Sequence, residues 1–352
     1  MRPALITGGA GFIGTNLAHR LLSSRHPVLL LDSLARPGVE RNLRWLRDVH
    51  GSHLGVEVAD MRDADAVRRA VERAGQIFHF AAQVAVTTSL GDPLEDFEIN
   101  ARGTLNLLEA IRAQPVPPPL VFTSTNKVYG ALEDIALRRR TRSYAPLDPA
   151  VAGRGVSELR PLDFYSPYGC SKGCADQYVR DYARSYGLPT IVFRMSCIYG
   201  PHQHGTEDQG WVAHFLIRAL AGRPITVYGD GRQVRDVLFV EDLVDAFLLA
   251  QRHMPTQAGE VFNIGGGPAN AISLLELIQE IGELADRPAE LEHDDWRVGD
   301  QRWYVSDTGK FARATGWRPT VGVRDGLGRL AAWLQESPRL PAAAGNGTGA
   351  RR

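Results

Sequence analysis

The chain has 352 residues, of which 44% are hydrophobic and 23% charged, and this composition excludes disordered, collagen-like and coiled-coil proteins. Its 40 Lys and Arg residues balance 40 Asp and Glu residues, so it lacks the basic excess typical of nucleic-acid-binding proteins. No apolar run approaches the roughly 18 residues of a membrane span, so we expect no membrane partner. Residues 1–7 show no charged-then-apolar leader, and we therefore expect a cytoplasmic protein.

Short apolar runs predict five buried strands in the first half of the chain, at 4–7, 28–31, 54–58, 77–80 and 120–124. Amphipathic stretches between these strands predict helices at 12–24, 40–49, 63–74 and 94–113. A helix at 167–186 and a strand at 190–195 continue the alternation. Strand–helix alternation with short links gives right-handed crossovers, so we expect an α/β fold with a doubly wound parallel sheet, the Rossmann arrangement.

The rhythm changes after about residue 200, and the later elements predict a smaller C-terminal α/β lobe that binds substrate. Helices are predicted near 210–221, 241–253, 273–286 and 322–336, and extended pieces near 225–228, 235–239, 261–264 and 289–293. The Arg- and Pro-rich segment 131–163 predicts a long functional loop without periodic structure. We therefore predict a Rossmann domain over 1–195, a mainly substrate-binding lobe over 196–336 with some return to the main domain, and a flexible tail over 337–352.

A glycine-rich turn follows the first predicted strand and opens the first predicted helix. Gly9, Gly11 and Gly14 match the spacing G-x-G-x-x-G, and Gly8 precedes them. Such glycines permit a tight turn, close approach of a pyrophosphate and close helix–strand packing. Asp32 ends the next strand about 20 residues on, where a carboxylate can accept from both ribose hydroxyls. The pattern indicates a dinucleotide site and favours NAD over NADP.

Further cofactor candidates follow from the ends of the predicted strands, because such folds bind ligands at the carboxyl ends of their strands. Arg36 lies close to Asp32 in the sequence and keeps NADP open as an alternative. Asp60 and Met61 follow the third strand, where an adenine edge is expected. Ala81 follows the fourth strand, where a small residue allows close approach of a ligand.

A tyrosine and a lysine stand four residues apart at the start of the predicted helix 167–186. Ser166 is a suitable N-cap and Pro167 suits the first helical position, so Tyr168 and Lys172 share one helix face. An ammonium near a phenol lowers its pKa by about 1–3 units, which favours Tyr168 as a base. Thr125, after the fifth strand, can orient a reacting hydroxyl. The pair predicts reversible alcohol oxidation.

These features together resemble the extended short-chain dehydrogenase/reductase superfamily over about 1–336. Within it the chain is similar to the CDP-paratose 2-epimerase (CDP-tyvelose epimerase) family. The strings that carry this resemblance are QVAVTTSLGDPLEDFEIN (83–100), TSTNKVYG (123–130), DFYSPYGCSKGCADQY (163–178), DQGWV (208–212), GRQVRDVLFVED (231–242) and GDQRWYVSD (299–307). The resemblance implies inversion of carbon 2 of a nucleotide-linked sugar, with tightly bound NAD that takes a hydride and returns it.

The resemblance also implies roles for individual residues. Thr125 is the hydroxyl helper, Tyr168 the acid/base and Lys172 its activator. Cofactor positions fall on Gly8, Gly11, Phe12, Ile13, Gly14, Asp32, Arg36, Asp60, Met61, Ala81, Ala82, Gln83, Asn100, Thr123, Tyr168 and Lys172. Substrate positions fall on Gln83, Thr125, Asn126, Ser196, Gln209, Val227, Arg235 and Arg302, of which the two arginines hold the diphosphate. Tyr165 stands where the family pattern leads us to expect histidine.

Two alternative functions remain open at this point. A UDP-hexose 4-epimerase shares every core residue, and a catalytically silent NAD-binding sensor shares the fold. A 4,6-dehydratase needs a carboxylic acid just after Thr125, where the sequence has Asn126 and Lys127, so dehydration is set aside. The pair His202 and His204 lacks the further ligands of a metal site, so we expect none. The resemblance implies a homodimer or homotetramer.

Overall fold

The structure, a computed structural model, describes residues 1–336. The strands of this part are β1 (Ala4–Thr7), β2 (Val28–Asp32), β3 (Leu54–Val58), β4 (Gln76–His79), β5 (Leu120–Thr125), β6 (Leu137–Arg139), β7 (Tyr144–Pro146), β8 (Thr190–Met195), β9 (Cys197–Tyr199), β10 (Ile225–Tyr228), β11 (Val234–Phe239), β12 (Val261–Ile264), β13 (Ala271–Ser273), β14 (Leu291–Asp294) and β15 (Trp303–Tyr304). The helices are α1 (Phe12–Ser23), α2 (Val39–His50), α3 (Ala64–Arg73), α4 (Val86–Gly91), α5 (Pro93–Phe97), α6 (Gly103–Arg112), α7 (Pro149–Arg154), α8 (Ser166–Tyr186), α9 (Trp211–Leu220), α10 (Val240–Gln257), α11 (Leu274–Leu284), α12 (Gly309–Thr315) and α13 (Val323–Glu336).

Seven strands form the central sheet in the order β12-β8-β5-β4-β1-β2-β3, and all of their pairings are parallel. β1 is buried along its whole length, as expected for a strand covered by helices on both faces. The chain winds outward in both directions from β1 and β4, so the carboxyl ends of these strands form the crevice where such folds bind ligands. The predicted fold class is confirmed.

The helices of the first half follow the predicted pattern with one interruption. The predicted helix 94–113 is divided into α5 and α6 by a π-helical turn at Glu98–Arg102. Asp92 caps α5 by accepting from the backbone N–H of Glu95, and Pro93 occupies its first turn. Helix α4 was not predicted from the sequence, because its six residues are too few to show a helical period.

The second half adds small sheets beside the carboxyl end of the main sheet. β11 pairs with β13, β15 and β9, while β10 pairs with β14 in parallel. Helices α9, α11 and α13 enclose a separate hydrophobic cluster with these strands. Ser273 and Glu276 form a capping box at the start of α11, which explains why this helix begins there. The two- and three-residue strands β9, β13 and β15 were too short to predict.

The segment 131–163 is not the structureless loop that the sequence predicted. It contains the antiparallel hairpin β6–β7 and the helix α7, which Asp148 caps by accepting from the N–H of Ala150. The prediction was wrong because elements of three to six residues leave no periodic signal. The predicted tail 337–352 lies outside the described residues. In the part of the chain described here, no helix combines the length and apolarity needed to cross a bilayer.

Candidate active site

The glycines at the turn between β1 and α1 are packed so closely against backbone that they cannot carry a side chain. Gly8 has φ +66°, and a Cβ there would lie 2.6 Å from the backbone N of Ala81. A Cβ on Gly14 would lie 2.6 Å from the Cα of Gly9. Gly11 caps α1 without a side-chain hydrogen bond, so the first N–H groups of α1 are free to meet an anion.

Asp32 ends β2 beside this turn and is held by the backbone. Its Oδ2 accepts from the N–H of Ala10 and its Oδ1 from the N–H of Leu34, both at 2.9 Å. Burial raises the pKa of Asp32, while these N–H groups oppose the rise. Each carboxylate oxygen keeps a lone pair for a further donor such as a ribose hydroxyl. Arg36 is exposed beyond the end of β2.

Tyr168 lies in the first turn of α8, where several contacts fix the start of the helix. Its backbone N–H donates to Ser89 Oγ at 3.1 Å, and the N–H of Gly169 donates to Ser166 Oγ at 3.2 Å. The N-cap predicted for Ser166 is not where the structure places it: α8 begins at Ser166, Tyr165 stands at the cap position, and the Ser166 hydroxyl binds within the first turn. The Tyr168 phenol and the Thr125 hydroxyl at the end of β5 line the same cleft, and the Thr125 hydroxyl lowers the pKa of the phenol. A hydroxyl-bearing substrate carbon could therefore meet both groups together.

Lys172 is buried one turn further along α8, with Nζ 4.3 Å from the centre of the Phe122 ring. Burial raises the pKa of Tyr168 to about 12 and lowers the pKa of Lys172 to about 7. The pKa lowering expected for the phenol from Lys172 is not found: desolvation disfavours the phenolate and the Asp96 carboxylate adds repulsion. The Thr125 hydroxyl opposes both effects.

One cleft of about 690 Å³ joins the glycine turn to the small sheets of the second half. Thr125, Tyr168 and Lys172 all line it. Among the predicted cofactor residues, the cleft is also lined by Phe12, Ile13, Ala82 and Thr123. A volume of this size accommodates a ligand of substantial dimensions. The cleft brings the predicted catalytic residues together with part of the predicted cofactor site.

Other predicted cofactor residues stand at the strand ends without lining the cleft. Asp60 forms an ion pair with Arg62 at 2.8 Å, and this contact holds the pKa of Asp60 below its usual value. Met61 is buried in the core that β1 shares with α3 and α6. The N–H of Ala81 donates to Thr7 Oγ1 at 3.3 Å beside the glycine turn. Of these three, Ala81 is the residue that faces Gly8.

Asn100 lies in the π turn and connects the end of β4 to α8. Its Oδ1 accepts from the N–H of Gln83 at 2.9 Å, and its Nδ2 donates to the Gln83 carbonyl and to Ser171 Oγ, both at 3.0 Å. The Gln83 side chain is engaged with the backbone of Ala85. Neither Asn100 nor Gln83 lines the cleft, so the structure places both behind its wall. π turns occur frequently at functional sites.

The predicted substrate residues Asn126, Ser196, Gln209 and Arg235 line the same cleft. Ser196 donates to the carboxylate of the buried Asp236, at 2.5 Å. The four residues come from the turn after β5, the β8–β9 connection, the segment before α9 and β11. Asn126 and Arg235 are more than 100 positions apart in the sequence, and the fold brings the whole set to one side of Tyr168.

The prediction of Val227 as a substrate residue is not supported by its position. Val227 is 0% exposed and packs in the hydrophobic cluster of the small lobe. Side chains alternate between the two faces of a strand, so its neighbours on β10, Thr226 and Tyr228, line the cleft instead. A contact from Val227 to a ligand would therefore come from its backbone.

Of the two arginines predicted to hold a diphosphate, the structure brings Arg235 to the cleft but leaves Arg302 outside it. Arg302 is exposed, and its guanidinium lies 6.0 Å from the Tyr144 ring and 5.6 Å from the Trp296 ring. Arg297, which the sequence analysis missed, lines the cleft 3.9 Å from the Tyr228 ring. Arg297 precedes the motif GDQRWYVSD, and that proximity was the only signal.

A compact charge cluster in the cleft was also missed. Asp300 Oδ1 lies 2.6 Å from Arg235 Nη2 and 3.7 Å from Lys127 Nζ, and Lys127 donates to the Gly299 carbonyl at 3.1 Å. These two cations hold the pKa of Asp300 below its usual value despite burial, while burial lowers the pKa of Lys127. The cluster places two cations around one carboxylate, and the Arg235 guanidinium can still donate to an anionic ligand.

The histidines His202 and His204 do not line the cleft. His202 stacks on Trp45 at 4.1 Å, and His204 Nε2 lies 3.2 Å from Asn42 Oδ1. Burial lowers the pKa of His202 to about 4. Among residues 1–336, no group of three or more His, Cys, Asp or Glu side chains is arranged to hold a metal ion.

The parallel sheet, the glycine turn that a Cβ would fill and the acidic end of β2 define a dinucleotide-binding protein of the Rossmann class. Residues 4–265 match the sequence model of the NAD dependent epimerase/dehydratase family, and the chain belongs to that family. It is therefore an enzyme of this family, and the predicted cofactor, NAD, is confirmed. The residues at the glycine turn and at Asp32 are the ones that would hold it.

Relatives cover nearly the whole chain. It is 41% identical over 342 residues to CDP-paratose 2-epimerase from Salmonella typhi, covering 94% of this chain and 98% of that protein. The structure of UDP-glucose 4-epimerase from Thermotoga maritima with UDP-glucose superimposes with a TM-score of 0.81 at 30% identity, covering 95% and 98% of the two chains. UDP-glucose 4-epimerase from Thermus thermophilus in complex with NAD gives 0.79 at 32% identity, covering 96% and 100%.

Proposed function

We propose that the protein is an NAD-dependent epimerase that inverts carbon 2 of a nucleotide-linked, CDP-type hexose through a transient 2-keto sugar. The observation that carries the proposal is that the Tyr168 and Thr125 hydroxyls line one cleft with Arg235. Such a cleft can hold a sugar hydroxyl and an anionic group of the same ligand. The 41% identity to a CDP-paratose 2-epimerase supports carbon 2 as the centre and CDP as the nucleotide.

In this proposal Thr125 orients the hydroxyl on carbon 2, and Tyr168 Oη removes its proton. NAD, when bound, supplies the acceptor and then the donor of the hydride, and in its oxidised form a positive charge that favours the phenolate. The Lys172 ammonium favours the phenolate in the same direction. Tyr168 returns its proton to the keto oxygen in the second half of the reaction, so the chain ends in its starting protonation state.

Inversion requires the keto sugar to present its other face before the reaction is reversed. We infer that the diphosphate stays bound while the sugar turns, held by Arg235 and Arg297 in the cleft. A guanidinium can donate to two phosphate oxygens at once, which makes arginine suited to this task. Asp300 lies within ion-pair distance of Arg235 and keeps that side chain directed along the cleft wall.

A UDP-hexose 4-epimerase is the second candidate, because the structural similarity to UDP-glucose 4-epimerases extends over the whole chain. It would use Tyr168, Thr125 and Lys172 in the same way on a different carbon. A nucleotide-sugar 4,6-dehydratase is not proposed, because Asn126 and Lys127 follow Thr125 in place of a carboxylic acid.

The experiment is incubation of the purified protein with CDP-, UDP-, GDP- and dTDP-linked hexoses in heavy water, followed by nuclear magnetic resonance of the products. Inversion at carbon 2 of a CDP-hexose, with the original hydrogen retained at that carbon, is the expected result. Inversion at carbon 4 of a UDP-hexose identifies the second candidate. Extensive deuterium at the inverted carbon contradicts a hydride mechanism. If none of the sugars is converted, the protein is better described as a catalytically silent NAD-binding sensor.

A further inference from the structure

Lys172 depends on its surroundings to stay charged. It is buried, it packs over the Phe122 ring, and burial lowers its pKa to about 7. A lysine with that value is only half protonated at neutral pH. The nearby carboxylates of Asp176 and Asp96 raise its pKa, and without them the ammonium that the proposed reaction requires would be lost.

The two carboxylates differ in the partners that share their charge. Asp176 accepts from Arg194 Nε at 2.8 Å and from Arg194 Nη2 at 2.9 Å, and both side chains are buried. A guanidinium in this forked arrangement neutralises the carboxylate that it binds. Asp176 thus shares its charge with Arg194, and from one helical turn further along α8 it still raises the pKa of Lys172.

Asp96 is bound only by neutral donors. It is 0% exposed, Ser171 donates a short hydrogen bond to its Oδ2, and Asn100 Nδ2 donates to its Oδ1 at 3.3 Å. No ion pair among residues 1–336 includes Asp96. A buried carboxylate without a contacting cation is costly, so its retention calls for an explanation.

The backbone around Asp96 fixes the carboxylate against α8. Asp96 lies in α5, and the π turn that follows directs Asn100 to the same Ser171 hydroxyl that binds Asp96. Ser171 directly precedes Lys172, and its hydroxyl also lies 3.2 Å from the carbonyl of Tyr168. The carboxylate is thus connected by hydrogen bonds to the segment that carries both predicted catalytic side chains.

We propose that Asp96 is a positioning residue, a buried carboxylate without a contacting cation that helps to hold Lys172 in its ammonium form beside Tyr168. The role of Lys172 in catalysis rests on the proposed function, whereas the effect of Asp96 on its charge does not. The other titratable groups facing Lys172 are Asp176, which Arg194 binds, and His79, whose pKa burial lowers to about 3 so that it stays neutral. Asp96 is the source of negative charge that no cation contacts.

The sign of the effect follows from the charge. Removing the Asp96 carboxylate takes away attraction for the ammonium, so the pKa of Lys172 falls further below its ordinary value. It also takes away repulsion of the phenolate, so the pKa of Tyr168 falls from about 12. Both limbs of the pH profile of kcat therefore move to lower pH.

The test uses the fact that the chain has three lysines, Lys127, Lys172 and Lys310. Lysine labelled with ¹⁵N at Nζ gives three resonances, which the variants Lys127→Arg and Lys310→Arg assign. The titration midpoint of Lys172 is then measured in the full-length protein and in Asp96→Asn. We expect a lower midpoint in Asp96→Asn, independent of any turnover.

The matched control is Glu95→Gln, which removes the neighbouring carboxylate of α5. The Glu95 side chain is 48% exposed, so solvent screens its charge and the Lys172 midpoint should not move. An unchanged midpoint in Asp96→Asn, or an equal shift in both variants, overturns the proposal. If Asp96→Asn does not fold, Asp96→Ser and Asp96→Glu provide the same comparison, with the charge removed in one and retained in the other.

Discussion

Asn126 Nδ2 donates a hydrogen bond to Gln301 Oε1 at 2.9 Å across 175 positions of the sequence. Gln301 Nε2 in turn donates to the carbonyl of Gly130 at 2.7 Å, and the side chains of Asn126 and Gln301 are both buried. Asn126 directly follows Thr125, whose Oγ1 accepts from the N–H of Lys127 at 3.2 Å. The turn that carries Thr125 is therefore joined by hydrogen bonds to the segment that carries Asp300.

We expect Gln301→Leu to loosen this connection. The substitution keeps most of the side-chain volume but leaves the Asn126 amide and the Gly130 carbonyl buried without partners, each costing about 1–3 kcal/mol. Denaturant titration should show a lower free energy of unfolding, and kcat should fall because the Thr125 turn is less fixed. Gln279→Leu, on an exposed position of α11, is the control and should change stability by less than about 0.5 kcal/mol. Equal stability of the two variants would contradict this account.

The local parts of the fold could be predicted from the sequence because their signals are contained in a few neighbouring residues. The glycine turn and Asp32 follow from one strand–turn–helix unit, and the spacing of Tyr168 and Lys172 follows from one helical turn. The cleft brings Tyr168 and Lys172 to one place, as expected. The parallel sheet follows from strand–helix alternation and crossover handedness.

Other features of the site could not be predicted, because they depend on contacts between distant segments or on which face of a strand a side chain occupies. The side chain of Val227 faces the core, and its orientation depends on strand parity, because a shift of one residue on a strand reverses the face. Arg297 lines the cleft and Arg302 does not, although both lie near one motif and only the path of the chain separates them. The coupling of Asp96 to Lys172 joins α5 to α8, and no local pattern records it.

Tyr168→Phe tests the acid/base role directly. Loss of the phenol removes the group that takes and returns the proton, so kcat should fall by about 10²–10⁴-fold. The ring is retained, so the fold and the NAD content of the purified protein should not change. Tyr165→Phe removes a hydroxyl three residues away on a side chain that is 46% exposed, and it should retain wild-type turnover. Near-normal turnover in Tyr168→Phe would remove the basis of the proposed mechanism.

The structure and the sequence motif point to different arginines as diphosphate ligands, and affinity measurements distinguish between them. Arg235→Ala and Arg297→Ala should each raise the Kd for the nucleotide sugar, because each removes a guanidinium that lines the cleft. A charge-assisted hydrogen bond contributes about 1.5–3 kcal/mol, which corresponds to a loss of about 10–150-fold in affinity. Arg302→Ala should change the Kd by less than about threefold. Isothermal titration calorimetry with the substrate measures all three, and a larger loss in Arg302→Ala would show that Arg302 reaches the ligand.

Buried His79 predicts a pH dependence of stability. Its Nδ1 lies 2.6 Å from Thr7 Oγ1 and its Nε2 3.0 Å from Thr104 Oγ1, and burial lowers its pKa to about 3. Between that value and the ordinary value of about 6.5, the unfolded chain binds a proton that the folded chain does not. Stability therefore rises with pH through this window and is lost as the pH falls below about 6.5, at about 1.4 kcal/mol per unit for this group.

The measurement is the slope of the free energy of unfolding against pH between about 4 and 6, in the wild type and in His79→Gln. The variant should show a shallower slope by about one proton, whatever its absolute stability. His293→Gln, on an exposed position of β14, should retain the wild-type slope. Identical slopes for the wild type and His79→Gln would mean that His79 is protonated in the folded protein.

Gly8→Ala and Gly187→Ala separate the cost of backbone conformation from the cost of occupied space. The two glycines have nearly equal φ angles, +66° and +69°, so each alanine variant carries the same penalty of about 1–2 kcal/mol for the left-handed conformation. Nothing lies within 4 Å of a Cβ on Gly187, whereas a Cβ on Gly8 meets the backbone of Ala81, which cannot yield as a side chain would. Gly8→Ala should therefore lose more stability and most of its bound NAD, measured as dinucleotide released on denaturation. Gly187→Ala should lose only the conformational contribution and keep its NAD; equal NAD contents would show that the turn after β1 does not hold the cofactor.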